Sequence, residues 1–483
     1  MSNRTGTAQE NVSLLQEKVS QKDGSQKESG ERSNPFTWFR DALLARSGLV
    51  AYLPIIIGAI LMYLAASWQI FWTTTDAARY QCYALTFWLG SRGTTLLPPT
   101  QCLFLHLPAS PQPLFHLLPA EYPPLTLLIF SLSLPAPLHY YQVLFAVWMA
   151  LTALLIYWLL MRYGPRGAAF IFVLYCLLGA WATAEGRFDL VPAALTLLCV
   201  IAADRKHWTW AYVALAFGVL LKLYPILFLP ALFIAEQRDA QRFHTPPSAL
   251  PPKSVPLELW HSLRGAYQWR WRNALIFFGI LLGATGGFAL LDFHGAFLSQ
   301  FSYFAQRPIQ VESTGSMFLW LGTFFGFPIQ IVFTYGSINI LSDIGGIVSL
   351  TSEVFFVLGY VYIFWLQWRG KLDLLQTIIA LLLVFMATGK VFSPQYLIWI
   401  IPLLAYSSPL DRFWLFAWGT ISLLTTIIYP YLYIRTPHTL LAPLLPGFSQ
   451  TVAIRNICFV LLTLAYLFNW FQARRRKPLA EKS

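Results

Sequence analysis

Residues 139–161 read HYYQVLFAVWMALTALLIYWLLM, and Arg162 and Arg166 follow directly. After His139 the run carries no ionisable group except tyrosine. It is too long for a strand or a soluble core helix and close to the ~20 residues a helix needs to cross a bilayer. Similar runs lie at about 49–69, 167–184, 189–203, 208–221, 223–236, 273–291, 350–368, 372–388, 395–408, 413–430 and 451–472. The fold class they predict is an all-α, polytopic transmembrane protein; short alternating segments, the mark of a β-barrel, are not the pattern here. Composition agrees, since only 11% of the 483 residues are charged and 57% are hydrophobic. A soluble enzyme carries about 25% charged residues.

Two further apolar pieces read ambiguously. Residues 123–137 hold Pro123, Pro124, Pro135 and Pro137; residues 317–334 hold Gly322, Gly326 and Pro328. Each could span, re-enter or lie at the interface. Charge placement favours two non-spanning pieces. Basic clusters fall at Arg162/Arg166, Arg205/Lys206, the 237–272 loop, Arg369/Lys371, Arg412 and Arg474–Lys477. The positive-inside rule puts them all on the cytoplasmic side, which twelve spans with both ends inside satisfy. Residues 1–48, with 7 basic and 6 acidic residues and few apolar ones, read as a disordered cytoplasmic tail. Residues 49–472 read as the membrane domain, with outer loops 70–138 and 292–349, and 473–483 as a basic cytoplasmic tail. The net charge of +12 is thus an orientation signal and no indication of nucleic-acid binding. Cys82 and Cys102 are either bridged, if loop 70–138 is outside, or free thiols.

The same topology leaves a small set of charges outside, many at span edges, where charge is costly and functional by default. Asp76, in the run Thr73-Thr74-Thr75-Asp76, reads either as a helix cap or as a general base raised by partial burial. Glu121-Tyr122-Pro123-Pro124 is a helix breaker or a rigid wall beside a polar ligand. Glu185-Gly186-Arg187-Phe188-Asp189 packs three charges into one short turn, as an internal ion-pair network or as sugar-binding groups from Arg187 and Asp189. Lys222, in an otherwise apolar turn, either snorkels or meets an anion such as a lipid-linked phosphate. Downstream, His294 and Arg307 could neutralise a phosphate, while Gln310 and Glu312 could bind hydroxyls; a solvated loop is the plainer alternative. Gly389-Lys390-Val391-Phe392-Ser393-Pro394-Gln395-Tyr396 places another lysine at an outer span end. No P-loop, dinucleotide fingerprint or zinc-protease motif occurs, and no Asp-x-Asp pair in the outer loops offers a divalent metal a ligand set.

These segments together resemble the lipid-carrier-dependent membrane glycosyltransferases of the GT-C superfamily. The nearest resemblance is to glycosyltransferase family 87, the polyprenol-phosphate-mannose-dependent α-mannosyltransferases of phosphatidylinositol mannosides and related glycolipids. It rests on Asp76 in the first outer loop, Tyr122–Leu125, Gly186–Ala194, Lys222–Pro225, Arg307–Ser313 and Gly389–Tyr396, in that order. Arg187 departs from a position that is neutral in many relatives, and Pro308 from one that is small or flexible.

The resemblance implies a membrane hexosyltransferase, with mannose the expected sugar, at an extracytoplasmic site of a cell membrane. Asp76 would deprotonate an acceptor hydroxyl, and direct displacement would turn a β-linked donor into an α-linked product. Lys222, His294, Arg307 and Lys390 would stabilise the leaving phosphate. Glu121, Tyr122, Arg187, Asp189, Gln310, Glu312 and Gln395 would bind substrates. The expected partners are a polyprenyl-phosphate sugar donor, a lipid or glycan acceptor and membrane lipids. No metal or other cofactor is expected beyond the lipid-linked co-substrate. The rival reading is a transporter or flippase, which would show inverted repeats and a mid-depth site; no such repeat is visible.

Overall fold

The computed structural model describes residues 48–70, 72–105, 111–240, 268–407 and 411–468. The expected tails, and most of the 237–272 loop, lie outside the described residues. The chain is a polytopic helical membrane protein. Each of the twelve long apolar runs carries a helix. In chain order these are α1 (Leu53–Ile70), α4 (Tyr141–Tyr163), α5 (Ala168–Gly179), α6 (Leu190–Asp204), α7 (Trp208–Leu221) and α8 (Leu229–Asp239). There follow α9 (Arg272–Ala289), α12 (Gly345–Trp368), α13 (Leu374–Thr388), α14 (Tyr396–Ser407), α15 (Arg412–Thr426) and α16 (Phe448–Leu467). Among the described residues, six helical stretches are long and apolar enough to cross a membrane, and five shorter ones are apolar. In a bilayer only a helix satisfies every backbone group within its own segment. Burial separates their roles: 44% of the α4 window is buried, against 11% for α9 and 6% for α12. The last two therefore face outward along most of their length.

Local signals set the ends. Asp373 and Gln376 form a reciprocal capping box at the start of α13. Asp411 accepts from the amides of Phe413 and Trp414 to start α15.

The two ambiguous pieces are not single helices. Residues 123–137 form only the short α3 (Thr126–Ser131) between prolines. Residues 317–334 divide between the end of α11 (Thr314–Thr323) and strand β2 (Gln330–Thr334), with Gly326 at φ +87° in the turn between them. The same region adds one small sheet to the helical architecture. β2 pairs antiparallel with β3 (Ser337–Leu341), which pairs with the two-residue β1 (Ile309–Gln310), giving the order β1-β3-β2. The physical reason is the period-two pattern of Ile331, Phe333, Ile338 and Ile340 around a two-residue turn. Tyr335 and Gly336 both take positive φ, 53° and 65°, as a type I′ hairpin requires. One face of the sheet packs with Leu319, Ile428, Phe448 and Val452.

The segment after α1 is also structured. It carries α2 (Asp76–Leu89), and Cys82 on that helix is bonded to Cys102, with Cα atoms 5.7 Å apart. The bridged alternative is therefore the correct one. Replacing either cysteine by serine should lower stability by about 3 kcal/mol. A thermal unfolding midpoint in detergent that neither reductant nor substitution shifts would contradict this.

Candidate active site

Asp76 is the first residue of α2, and Thr75 is its cap: the Thr75 hydroxyl accepts from the Ala78 amide at 3.2 Å. The capping reading of Asp76 is thus corrected. Freed from that duty, its carboxylate meets Arg187 at 2.5 Å and Arg79 at 3.7 Å. Arg187 reaches it from the turn between α5 and α6. Together Asp76, Glu185 and Arg187, with Ala66 of α1 and Gln142 of α4, line a cavity open to solvent.

A second cluster adjoins the first. Arg79 forms an ion pair with Glu121, which also accepts from the Tyr83 hydroxyl at 2.8 Å and from Tyr303 at 3.1 Å. The same Tyr303 hydroxyl lies 2.5 Å from the Tyr335 carbonyl at the hairpin tip. A Cβ on Gly336 would stand 2.5 Å from Arg79 Nη1. The hairpin therefore rests on Arg79, and only glycine permits so close an approach. Tyr122 sits among Tyr80, Phe130 and Phe188, in edge contacts of 5.3–5.9 Å. Tyr122 is thus packed among rings, and the Glu121 carboxylate is already paired.

Asp189 and Lys222 pair with one another. Lys222 Nζ lies 2.5 Å from Asp189 Oδ1, which also accepts from Trp399 Nε1 at 2.5 Å. The ammonium lies 5.0 Å from the ring centres of both Phe188 and Trp399. Trp399 is itself stacked between Tyr224 and Tyr396, at 4.2 and 3.9 Å. Of the alternatives for Lys222, the structure shows an anionic partner within the protein.

Arg307 differs. Its guanidinium donates to Ser337 at 2.9 Å, no carboxylate pairs with it among the described residues, and its buried Nε has no partner. Gln310 accepts from the Phe392 amide at 3.0 Å, and its own amide donates to the Lys390 carbonyl at 2.9 Å. It thus ties the 307–313 and 389–396 segments together. Lys390 pairs with the half-exposed Glu353 at 2.8 Å, and the Gln395 amide oxygen accepts from the Ser393 hydroxyl. Glu312 accepts from the Tyr433 hydroxyl at 2.6 Å, while its backbone carbonyl is held by Arg455 and Asn456. Burial pushes the Glu312 carboxyl up, against the pull of Arg455 and the Tyr433 hydrogen bond. His294 stands exposed at the start of the 294–298 π-turn, and no polar contact among the described residues joins it to these clusters.

Sequence reasoning missed several members. Arg79, Tyr303, Trp399, Asn456 and the fully buried Arg455 all take part. Arg455 had a readable signal, a charge within the first turns of an apolar run. Glu185 was visible in the charged turn, but nothing singled it out from its neighbours. Burial pushes its carboxyl up to about 8 from an ordinary 4.5. The folded protein therefore keeps this proton to about pH 8, whereas the unfolded chain releases it near 4.5. Between those values the unfolded state binds fewer protons, so stability falls as pH rises. Glu185→Gln should flatten that slope in thermal unfolding measured from pH 5 to 9; an unaltered slope would count against it.

Among the described residues, no three His, Cys, Asp or Glu side chains gather as a metal-binding set. The helical bundle thus sets the Asp76 carboxylate beside Arg187 and Arg79 at the wall of an open cavity. Residues 121–250 match the model of glycosyltransferase family 87, in keeping with a GT-C-type glycosyltransferase. That stretch includes Glu121, Tyr122, Arg187, Asp189 and Lys222. No curated protein matches the chain.

Proposed function

We propose that the protein transfers a hexose, mannose being the expected one, from a polyprenyl-phosphate donor to a lipid or glycan acceptor at the extracytoplasmic face. The observation that carries this reading is Asp76, a carboxylate at the wall of a cavity and backed by Arg187 at 2.5 Å. The family match over 121–250 supports the reaction class. The Cys82–Cys102 bond supports an outer location for the first loop, since disulfides persist in oxidising compartments.

The chemistry is one displacement. Asp76 takes the proton of the acceptor hydroxyl as its oxygen bonds to the sugar's anomeric carbon. The bond from that carbon to the phosphate oxygen breaks on the opposite face, and the electron pair leaves with the phosphate. We assign that charge to Arg307, which no carboxylate pairs among the described residues. Lys222 serves at most indirectly, its charge being matched by Asp189. Arg307→Ala should lower kcat/KM for the donor roughly 100-fold, with Arg307→Lys intermediate; equal donor kinetics in the variant and the parent would remove Arg307 from this role.

The reading is tested with the purified full-length protein in lipid vesicles, given polyprenyl-phosphate-linked radiolabelled mannose and octyl α-mannoside. Label should move to the glycoside. Label that stays on the carrier over many hours would contradict the proposal.

A further inference from the structure

Glu185 has no part in the displacement just described, yet its setting is unusual. It is 1% exposed, and among the described residues neither carboxyl oxygen has a hydrogen-bond partner. It lines the cavity that holds Asp76. The charged groups facing it there are Asp76, from α2, and Arg187, from its own turn. α1 contributes Ala66 and α4 contributes Gln142 and Ala146, none of them titratable. Arg187 is already committed to Asp76, at 2.5 Å.

A buried carboxylate without a partner costs several kcal/mol, so this group either keeps its proton or is completed by a ligand. As a neutral carboxyl it offers one donor and spare acceptor capacity. A hydroxyl, itself donor and acceptor, is its complement. The cavity wall argues further for a neutral ligand, because the charges of Asp76 and Arg187 cancel and the remaining lining residues, Thr75, Ala77, Thr183 and Gly186 among them, are uncharged.

We propose that Glu185 is the acceptor-binding carboxyl. It exchanges hydrogen bonds with one hydroxyl of a neutral sugar or polyol headgroup, and so fixes which neighbouring hydroxyl faces Asp76. This inference rests on the glycosyl-transfer reading and names the residue that selects the acceptor position.

Two measurements on the full-length protein test it. Dicyclohexylcarbodiimide adds to protonated carboxyls in apolar surroundings, and mass spectrometry reads the adduct at Glu185. The adduct should form at pH 6 and fade as pH passes about 8. Saturating octyl α-mannoside should slow labelling, and octanol should not. In kinetics, Glu185→Ala should raise KM for octyl α-mannoside roughly tenfold or more, with donor KM unmoved. Glu185→Gln, whose amide still donates and accepts, should retain most of the affinity and lose the alkaline decline. Labelling that octyl α-mannoside does not slow, or an unchanged acceptor KM in Glu185→Ala, overturns the inference while leaving the transfer reading intact. Protection of Glu185 in a protein that transfers no sugar has the opposite meaning: the binding site stands and the transfer reading falls.

Discussion

Asp76→Asn should abolish sugar transfer, lowering kcat by about 10²–10⁴-fold, while the lipid donor still binds. The amide keeps the shape of the carboxyl and can still meet one arginine, but it cannot accept the acceptor's proton. The arrangement around it should survive, because Thr75 and not Asp76 caps α2. Helix start and the proposed chemistry thus fall to adjacent residues, and the substitution separates them. Donor binding is read by competition with a fluorescent polyprenyl phosphate, and turnover by radiolabel. Turnover within a few-fold of the parent would remove Asp76 from the base role. A parallel loss of donor binding would point to collapse of the Arg187 contact instead.

Lys222→Met should have the largest effect on stability. Removing the ammonium leaves the 1% exposed Asp189 with the Trp399 indole as its hydrogen-bond donor. Breaking a buried pair by deleting one member typically costs about 3–5 kcal/mol. The double variant Asp189→Leu/Lys222→Met should recover much of this, since it removes both charges. The measurement is the thermal unfolding midpoint in one detergent for the two single variants and the double. If the double variant is as unstable as the sum of the singles, the pair is not the unit described here. The same comparison bears on function: a lysine held for a phosphate would cost donor affinity when lost, whereas a structural one costs folding.

Much of the helical layout was legible because membrane helices announce themselves locally. Residues 139–161 have one reading, and α4 occupies 141–163. The prolines on both sides, Pro123–Pro124 and Pro135/Pro137, confine the 123–137 piece to the six-residue α3. Residues 317–334 were less legible. Their mean apolarity resembles a span, but Gly326 breaks the helix and the alternation beyond it pairs with a strand that the reading of 317–334 did not include. The charged residues of these clusters were legible as residue types at the span edges. Their pairings were not, because Asp189 and Trp399 stand 210 positions apart and no local pattern joins them. The solitude of Glu185 was the least legible feature. Its sequence neighbours, Arg187 and Asp189, offer obvious partners, and only the fold shows that both are engaged elsewhere.

The most direct test of the account is the anomeric configuration of the product. Proton and carbon NMR of octyl dimannoside made from a β-linked polyprenyl-phosphate mannose should show a newly formed α linkage. That result requires attack opposite the phosphate by an acceptor activated at a single base, the role given to Asp76. A β-linked product would demand two displacements or a different face of attack, and would contradict the account at its centre.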